Sequence, residues 1–180
     1  EKQPLPALKA LETAKKGKMV LLGLPGAGKT TFVRYLSLRH AQVLHKNAVS
    51  MADDLPGWQG PPLLPVIIPL GLLAASLSRE TTTGTAEDIE IYLQQTLKSI
   101  DTEAIRTYAG YILDDLHRRA GLFLFDGLDE VADLTLRPRV VQAVEAFAER
   151  YSKILPTHRY MVTCRTFSYT DEKWQLAGWE

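Results

Sequence analysis

Several things are scarce in this chain of 180 residues, and each scarcity excludes something. A single cysteine, Cys164, cannot close an internal disulfide, and such usage suits the reducing cytoplasm. Neither sign of charge is in excess: Lys+Arg and Asp+Glu both number 21. That balance gives no electrostatic ground for expecting nucleic acid or an anionic membrane as a partner. The longest apolar run, residues 63–77, is broken by Pro65, Pro69 and Gly71, so no membrane span is read there. Residues 1–18 are lysine-rich without an apolar core, and no export signal is read in them. Lys9, Lys15, Lys16 and Lys18 read most simply as a solvated face. There is no internal repeat and no low-complexity tract. His40, His45, His117 and His158 have no metal-ligand spacing among themselves or with Cys164, and read as surface or packing residues. Serine, histidine and aspartate are all present, but no nucleophile elbow is. The length suits one ordinary domain with a proper core.

What stands out is the run Met19-Val20-Leu21-Leu22-Gly23-Leu24-Pro25-Gly26-Ala27-Gly28-Lys29-Thr30. A short apolar strand leads into a glycine-rich turn, and Lys-Thr opens a helical pattern. Residues 23–30 fit G-x-x-x-x-G-K-[ST], the phosphate-binding P-loop or Walker A motif. Gly23, Gly26 and Gly28 let the backbone turn so tightly that successive N–H groups face one point. That point lies at a helix N-terminus, which favours an anion. Lys29 can reach the β- and γ-phosphates, and the Thr30 hydroxyl can ligate Mg²⁺.

Around this motif the chain alternates strands and helices. Leu5, Leu8 and Leu11 have helical spacing over residues 5–16, with Gly17 as the stop. Residues 18–22 read as a short buried strand, and residues 29–40 as a helix with Phe32, Val33 and Leu36 on one side. Residues 45–62 read as a long loop, functional or mobile. Residues 64–70 read as a strand in which Pro65 and Pro69 argue for a sheet edge. After a polar break, Thr85-x-x-Asp88 reads as a capping box, followed by a stripe of Ile89, Tyr92, Leu93, Thr96, Leu97 and Ile100. A second helix is expected after Asp101, with Ile105, Tyr108, Ala109, Ile112 and Leu116 on its face and Gly121 ending it. Leu122-Phe123-Leu124-Phe125 is continuously apolar, as in a central parallel strand buried on both faces. Pro138 suits a helix N1 position, opening a helix with a strong stripe from Val140 to Tyr151. Residues 160–164 read as a last strand.

This alternation predicts a parallel α/β sheet with helices on both faces, whose ligands bind at the carboxyl ends of strands. Three predicted strand ends carry chemistry. The first is the P-loop. The second is Asp126-Gly127-Leu128-Asp129-Glu130, where Asp126 can serve Mg²⁺ beside Thr30. Asp129 or Glu130 can orient or deprotonate the attacking water, and the residues alone leave their division of labour open. The third is Arg165, whose guanidinium can stabilise charge on a γ-phosphate.

In this order and spacing, GLPGAGKT, LPVIIPL, LFLFDGLDE and MVTCRT resemble the NACHT family of STAND signalling ATPases, related to the NOD-like receptors. The resemblance spans roughly residues 7–179 and is closest to bacterial-type members. The tandem-acid Walker B, with Gly127 after the metal aspartate, is its more specific part. It implies a three-layer P-loop NTPase fold of the ASCE type, with sheet order 5-1-4-3-2 and its proline-bearing second strand at an edge. It implies that Gly23, Leu24, Pro25, Gly26, Ala27, Gly28, Lys29, Thr30 and Thr31 hold ATP or ADP, that Thr30 and Asp126 serve Mg²⁺, and that Asp129, Glu130 and Arg165 are catalytic. The segment before the first strand would help to hold adenine. Residues 1–180 would be a fragment of a larger multidomain protein, truncated near strand 5, without the helical and winged-helix domains and with a fused effector and sensor elsewhere.

The expected function is therefore a nucleotide-controlled oligomerisation switch in signalling or innate immunity, self-associating through the full-length protein, with slow ATP hydrolysis that is weak or absent in this fragment. The alternative is an ordinary P-loop enzyme, either a small-molecule kinase or a nucleic-acid-dependent ATPase. A third possibility is an interaction module that keeps the fold without turnover. ATP over GTP rests on the resemblance, although no N-K-x-D guanine motif is present.

Overall fold

A computed structural model describes residues 6–47, 50–51, 53–78, 81–170 and 174–180. Helix α1 (Ala7–Thr13) leads through a 3-10 turn (Lys15–Gly17) into β1 (Lys18–Gly23), and α2 (Lys29–His45) follows the P-loop. Then come β2 (Leu64–Pro69), α3 (Leu70–Ser76), α4 (Ala86–Ser99), α5 (Glu103–Tyr108), α6 (Ile112–Arg118) and β3 (Gly121–Asp126). A 3-10 turn (Leu128–Glu130), α7 (Arg137–Ile154) and β4 (Arg159–Arg165) complete the order, before a last 3-10 turn (Ser168–Thr170). The four strands form one all-parallel sheet in the order β1-β4-β3-β2. Leu5, placed in the first helix by its spacing, lies outside the described residues.

The central strand explains the layering. In β3, Phe123 and Phe125 point into one core, with α4, α6 and α7, while Leu122 and Leu124 point into the other, with α1 and α2. All four are fully buried, as the continuous apolar run predicted. One core is aromatic: Phe123 stacks on Tyr160 and meets Phe147 edge-on, with ring centroids 5.3 and 5.0 Å away. The other also takes in Met51, Leu55, Trp58 and Leu63 from the connection between α2 and β2, all buried, so the described part of this connection is a packed cover.

At the β2 edge the prolines have a specific place. Leu64 donates its N–H inward to Ala120 (2.9 Å), and β2 pairs in register with β3. By ladder alternation, Val66 and Ile68 also bond inward, while Pro65, Ile67 and Pro69 face outward. Both prolines thus stand where no donor is needed, and Ile67 carries the one N–H on the outer rim of β2. At the opposite edge, Glu180 donates to the Lys18 carbonyl (3.3 Å) and accepts from Val20 N–H (2.7 Å), the pattern of a parallel neighbour.

Three expectations need correction. The helix predicted after Asp101 is two short helices, because Ala109-Gly110 forms a turn; Tyr108 bridges the break by donating to Asp115 (2.8 Å). Gly121 does not end that helix but opens β3, where a Cβ would stand 2.9 Å from the Phe123 ring. β1 is only partly buried, with Leu22 42% exposed, because it flanks the other three strands instead of sitting among them. By contrast, the capping box at Thr85 is present: its N–H donates to the Asp88 carboxylate at 2.8 Å. Pro138 falls within the first turn of α7, whose stripe from Val140 to Tyr151 is buried.

Candidate functional site

In the order β1-β4-β3, the three strand ends marked by sequence are neighbours. Gly23 pairs in register with Arg165, and Asp126 of β3 is joined to Thr163 of β4 by a 2.6 Å hydrogen bond. The ends open into one cleft of about 260 Å³. Pro25, Gly26, Ala27, Gly28, Lys29, Thr30 and Thr31 line one wall; Asp126, Gly127, Asp129, Glu130, Thr163 and Arg165 line the other. Gly23 and Leu24, the first two residues of the expected set, do not line it. Their carbonyls instead accept the Lys29 ammonium, at 3.0 and 3.2 Å.

The loop conformation follows from its glycines. Gly26 and Gly28 have φ of 74° and 81°, where a side chain is strained, and the space over each is open. The first backbone bond of α2 runs from Phe32 N–H to Gly28 (2.8 Å), so the N–H groups of Lys29, Thr30 and Thr31 precede the helical ladder. Thr30 and Thr31 are exposed at this helix start. A cradle of open space, positive-φ glycines and a helix N-terminus fits a phosphate chain.

The opposite wall separates the two acids. Asp129 is engaged at both carboxylate oxygens: Oδ1 accepts Arg165 N–H (2.9 Å) and Oδ2 pairs with Arg165 Nε (2.7 Å). Its side chain is 5% exposed, while that of Arg165 is half exposed. Glu130 is exposed and folds back over Gly127, where a Cβ would stand 2.8 Å from its Oε2. Gly127 sits at φ 78°, so the turn itself demands glycine.

Thr163 was missed by sequence reasoning. Its hydroxyl donates to Asp126 and accepts the buried Gly127 N–H at 2.8 Å, tying the acid turn to β4. The available signal was a hydroxyl inside the apolar run Met161-Val162-Thr163-Cys164. Cys164 itself is buried, and burial pushes its thiol up to about 11, so it is unreactive near neutrality.

Among the described residues there is no group of three or more His, Cys, Asp or Glu able to hold a metal. Mg²⁺ needs no such group when one hydroxyl, one carboxylate, waters and phosphate oxygens share its shell. Thr30 and Asp126 both line the cleft and could supply one hydroxyl and one carboxylate. Behind the P-loop a second recess of about 240 Å³ is lined mainly by apolar groups, with Ala7, Leu21, Leu22 and Phe32 beside Gly28 and Lys29. His40 and His158 lie far from this chemistry in packing roles: each accepts a backbone N–H at Nδ1, from Leu63 (3.0 Å) and Gly121 (2.8 Å).

The chain is thus an α/β protein with an all-parallel sheet and a polar cleft at the carboxyl ends of three strands. No helix among the described residues is long and apolar enough to cross a membrane. Compared with protein-family models, curated proteins and solved structures, the sequence and fold returned no match.

Proposed function

We propose that this domain binds ATP or ADP with Mg²⁺ and acts as the nucleotide-dependent switch of a larger signalling ATPase of the NACHT type. One observation carries the reading: the glycine-rich loop, Asp126, Glu130 and the Asp129–Arg165 pair, far apart in sequence, face one open cleft. In this reading the P-loop is the Walker A element of an ASCE-type NTPase, and the sheet is the 1-4-3-2 part of a 5-1-4-3-2 order.

The hydrogen bonds support one division of labour. Asp129 spends both oxygens on Arg165, so it orients that arginine and is a poor base. Glu130 is left to orient or accept a proton from the attacking water. Arg165 borders the cleft, where its charge can meet the charge that develops on the transferred phosphoryl group. Lys29 exchanges two loop carbonyls for phosphate oxygens. Bound Mg²⁺ supplies charge neutralisation, with Thr30 and Asp126 as the residues to hold it. The apolar recess beside Phe32 suits a flat heterocycle, in keeping with an adenine held near α1.

Hydrolysis is expected to be slow, with self-association and reset through other domains of the full-length protein. Calorimetry tests the core of the proposal. Mg-ADP should bind the wild-type domain, and Lys29→Ala should remove binding. Unchanged affinity in that variant would sink the reading; phosphorylation of a small acceptor or turnover stimulated by nucleic acid would favour the ordinary-enzyme alternative.

A further inference from the structure

The acid turn is held from behind by a side chain that does not line the cleft. Arg137 opens α7 and is 9% exposed. Its Nε donates to the Val131 carbonyl and its Nη2 to the Asp129 carbonyl, both at 2.9 Å. The Trp174 ring covers the same guanidinium, 4.2 Å from its central carbon. Among the described residues Arg137 forms no ion pair; its charge is met by carbonyl dipoles and an aromatic face.

Burying a guanidinium carries a desolvation cost, so a pure stability role is a poor account of it. Its geometry gives a better one. The guanidinium donors are fixed in one plane, and the two carbonyls they grip flank Glu130, one residue on either side. Gripping the Asp129 carbonyl fixes the peptide plane that leads into Glu130, and gripping the Val131 carbonyl fixes the chain just beyond it, so the backbone that carries the Glu130 side chain is held from both ends. That side chain folds over Gly127 into the cleft.

We propose that Arg137 is a positioning residue: it clamps the Asp129 and Val131 carbonyls so that Glu130 faces the transferred phosphoryl group, and Trp174 keeps the clamp closed. This rests on the nucleotide reading above. It adds a residue that touches no ligand yet governs the acid that does, and it ties the acid turn to the segment after β4.

The test measures affinity for Mg-ADP with and without aluminium fluoride, a mimic of the phosphoryl group in transfer. Calorimetry is run on the wild type, Arg137→Met, Arg137→Lys and Trp174→Leu. Wild-type protein should bind the fluoride complex more tightly than Mg-ADP alone. Arg137→Met should keep its Mg-ADP affinity within about twofold and lose about 10- to 100-fold of the extra tightening, the effect of a misplaced reacting group. Arg137→Lys, which keeps the charge but not the planar two-pronged grip, and Trp174→Leu should fall between. Full tightening in Arg137→Met overturns the proposal, and so does an equal loss for Mg-ADP and the fluoride complex. A wild type that binds Mg-ADP without tightening overturns it as well, leaving the nucleotide reading intact. A wild type that binds neither overturns the nucleotide reading itself. Should Arg137→Met fail to fold, Arg137→Lys carries the same comparison.

Discussion

Replacing Thr163 by valine removes one oxygen from the protein and keeps its shape. The site is 1% exposed, so no water replaces that oxygen easily. Two losses follow. The buried Gly127 N–H loses its acceptor at 2.8 Å, a cost of about 1–3 kcal/mol. The Asp126 carboxylate loses a 2.6 Å donor, and a hydrogen bond to a charged group contributes about 1.5–3 kcal/mol. Asp126 is only partly buried and can recruit water, so the second loss is discounted, and the total comes to about 2–4 kcal/mol. With a urea m-value near ~2.5 kcal/mol/M, the unfolding midpoint should fall by about 1 M. Thr163→Ser, which retains the hydroxyl, should recover most of that fall. Circular dichroism through a urea series on the three proteins is sufficient. A valine variant within about 0.5 kcal/mol of wild type would show that the hydroxyl bridge does not hold the acid turn.

Further outcomes are expected elsewhere in the molecule. At Gly84 a Cβ would overlap the Arg139 carbonyl of α7, so Gly84→Ala should cost at least about 2–3 kcal/mol in thermal or urea unfolding; a neutral alanine would refute the close approach. Burial lowers both His40 and His158 from the ordinary 6.5 to about 4, so the unfolded chain takes up protons first as pH falls. Stability is therefore unaffected by them above about pH 6.5 and should drop between pH 6.5 and 4, by about 2 kcal/mol per histidine at pH 5; flat urea midpoints between pH 7.5 and 5 would contradict this. If turnover is measurable, Glu130→Gln should abolish it, whereas Asp129→Asn should also loosen Arg165 and lower the unfolding midpoint; equal stability of the two variants would argue against the pairing.

The parts of this fold legible in sequence were those with local signatures. The glycine spacing of residues 23–30 predicted a turn that needs positive φ, and Gly26 and Gly28 have it. The unbroken apolar run in β3 predicted burial on both faces, and the two prolines predicted an edge. What was illegible depends on partners remote in sequence. Nothing in Asp129-Glu130 says which acid is free; that is decided by Arg165, 36 positions later. Periodicity joined α5 to α6 because the apolar face continues through Gly110, while the backbone turns there. The composition of residues 45–62 is that of a loop, and only the assembled layer beneath shows Leu55 and Trp58 buried against it.

The prolines of β2 acquire another meaning when the chain is considered as it is made. β1 and β2 are synthesised first, yet they occupy opposite sides of the four-stranded sheet and never touch each other. Their partners, β3 and β4, are inserted between them only after more than fifty further residues have been added. Until then β2 is an unpaired apolar ribbon, the kind of segment that recruits a neighbouring nascent chain. Pro65 and Pro69 remove two of the three donors from the side that stays open, while the side β3 will occupy keeps its own. The strand waits with one face able to pair and the other chemically blunted, so its first stable partner is the one that arrives later in its own chain.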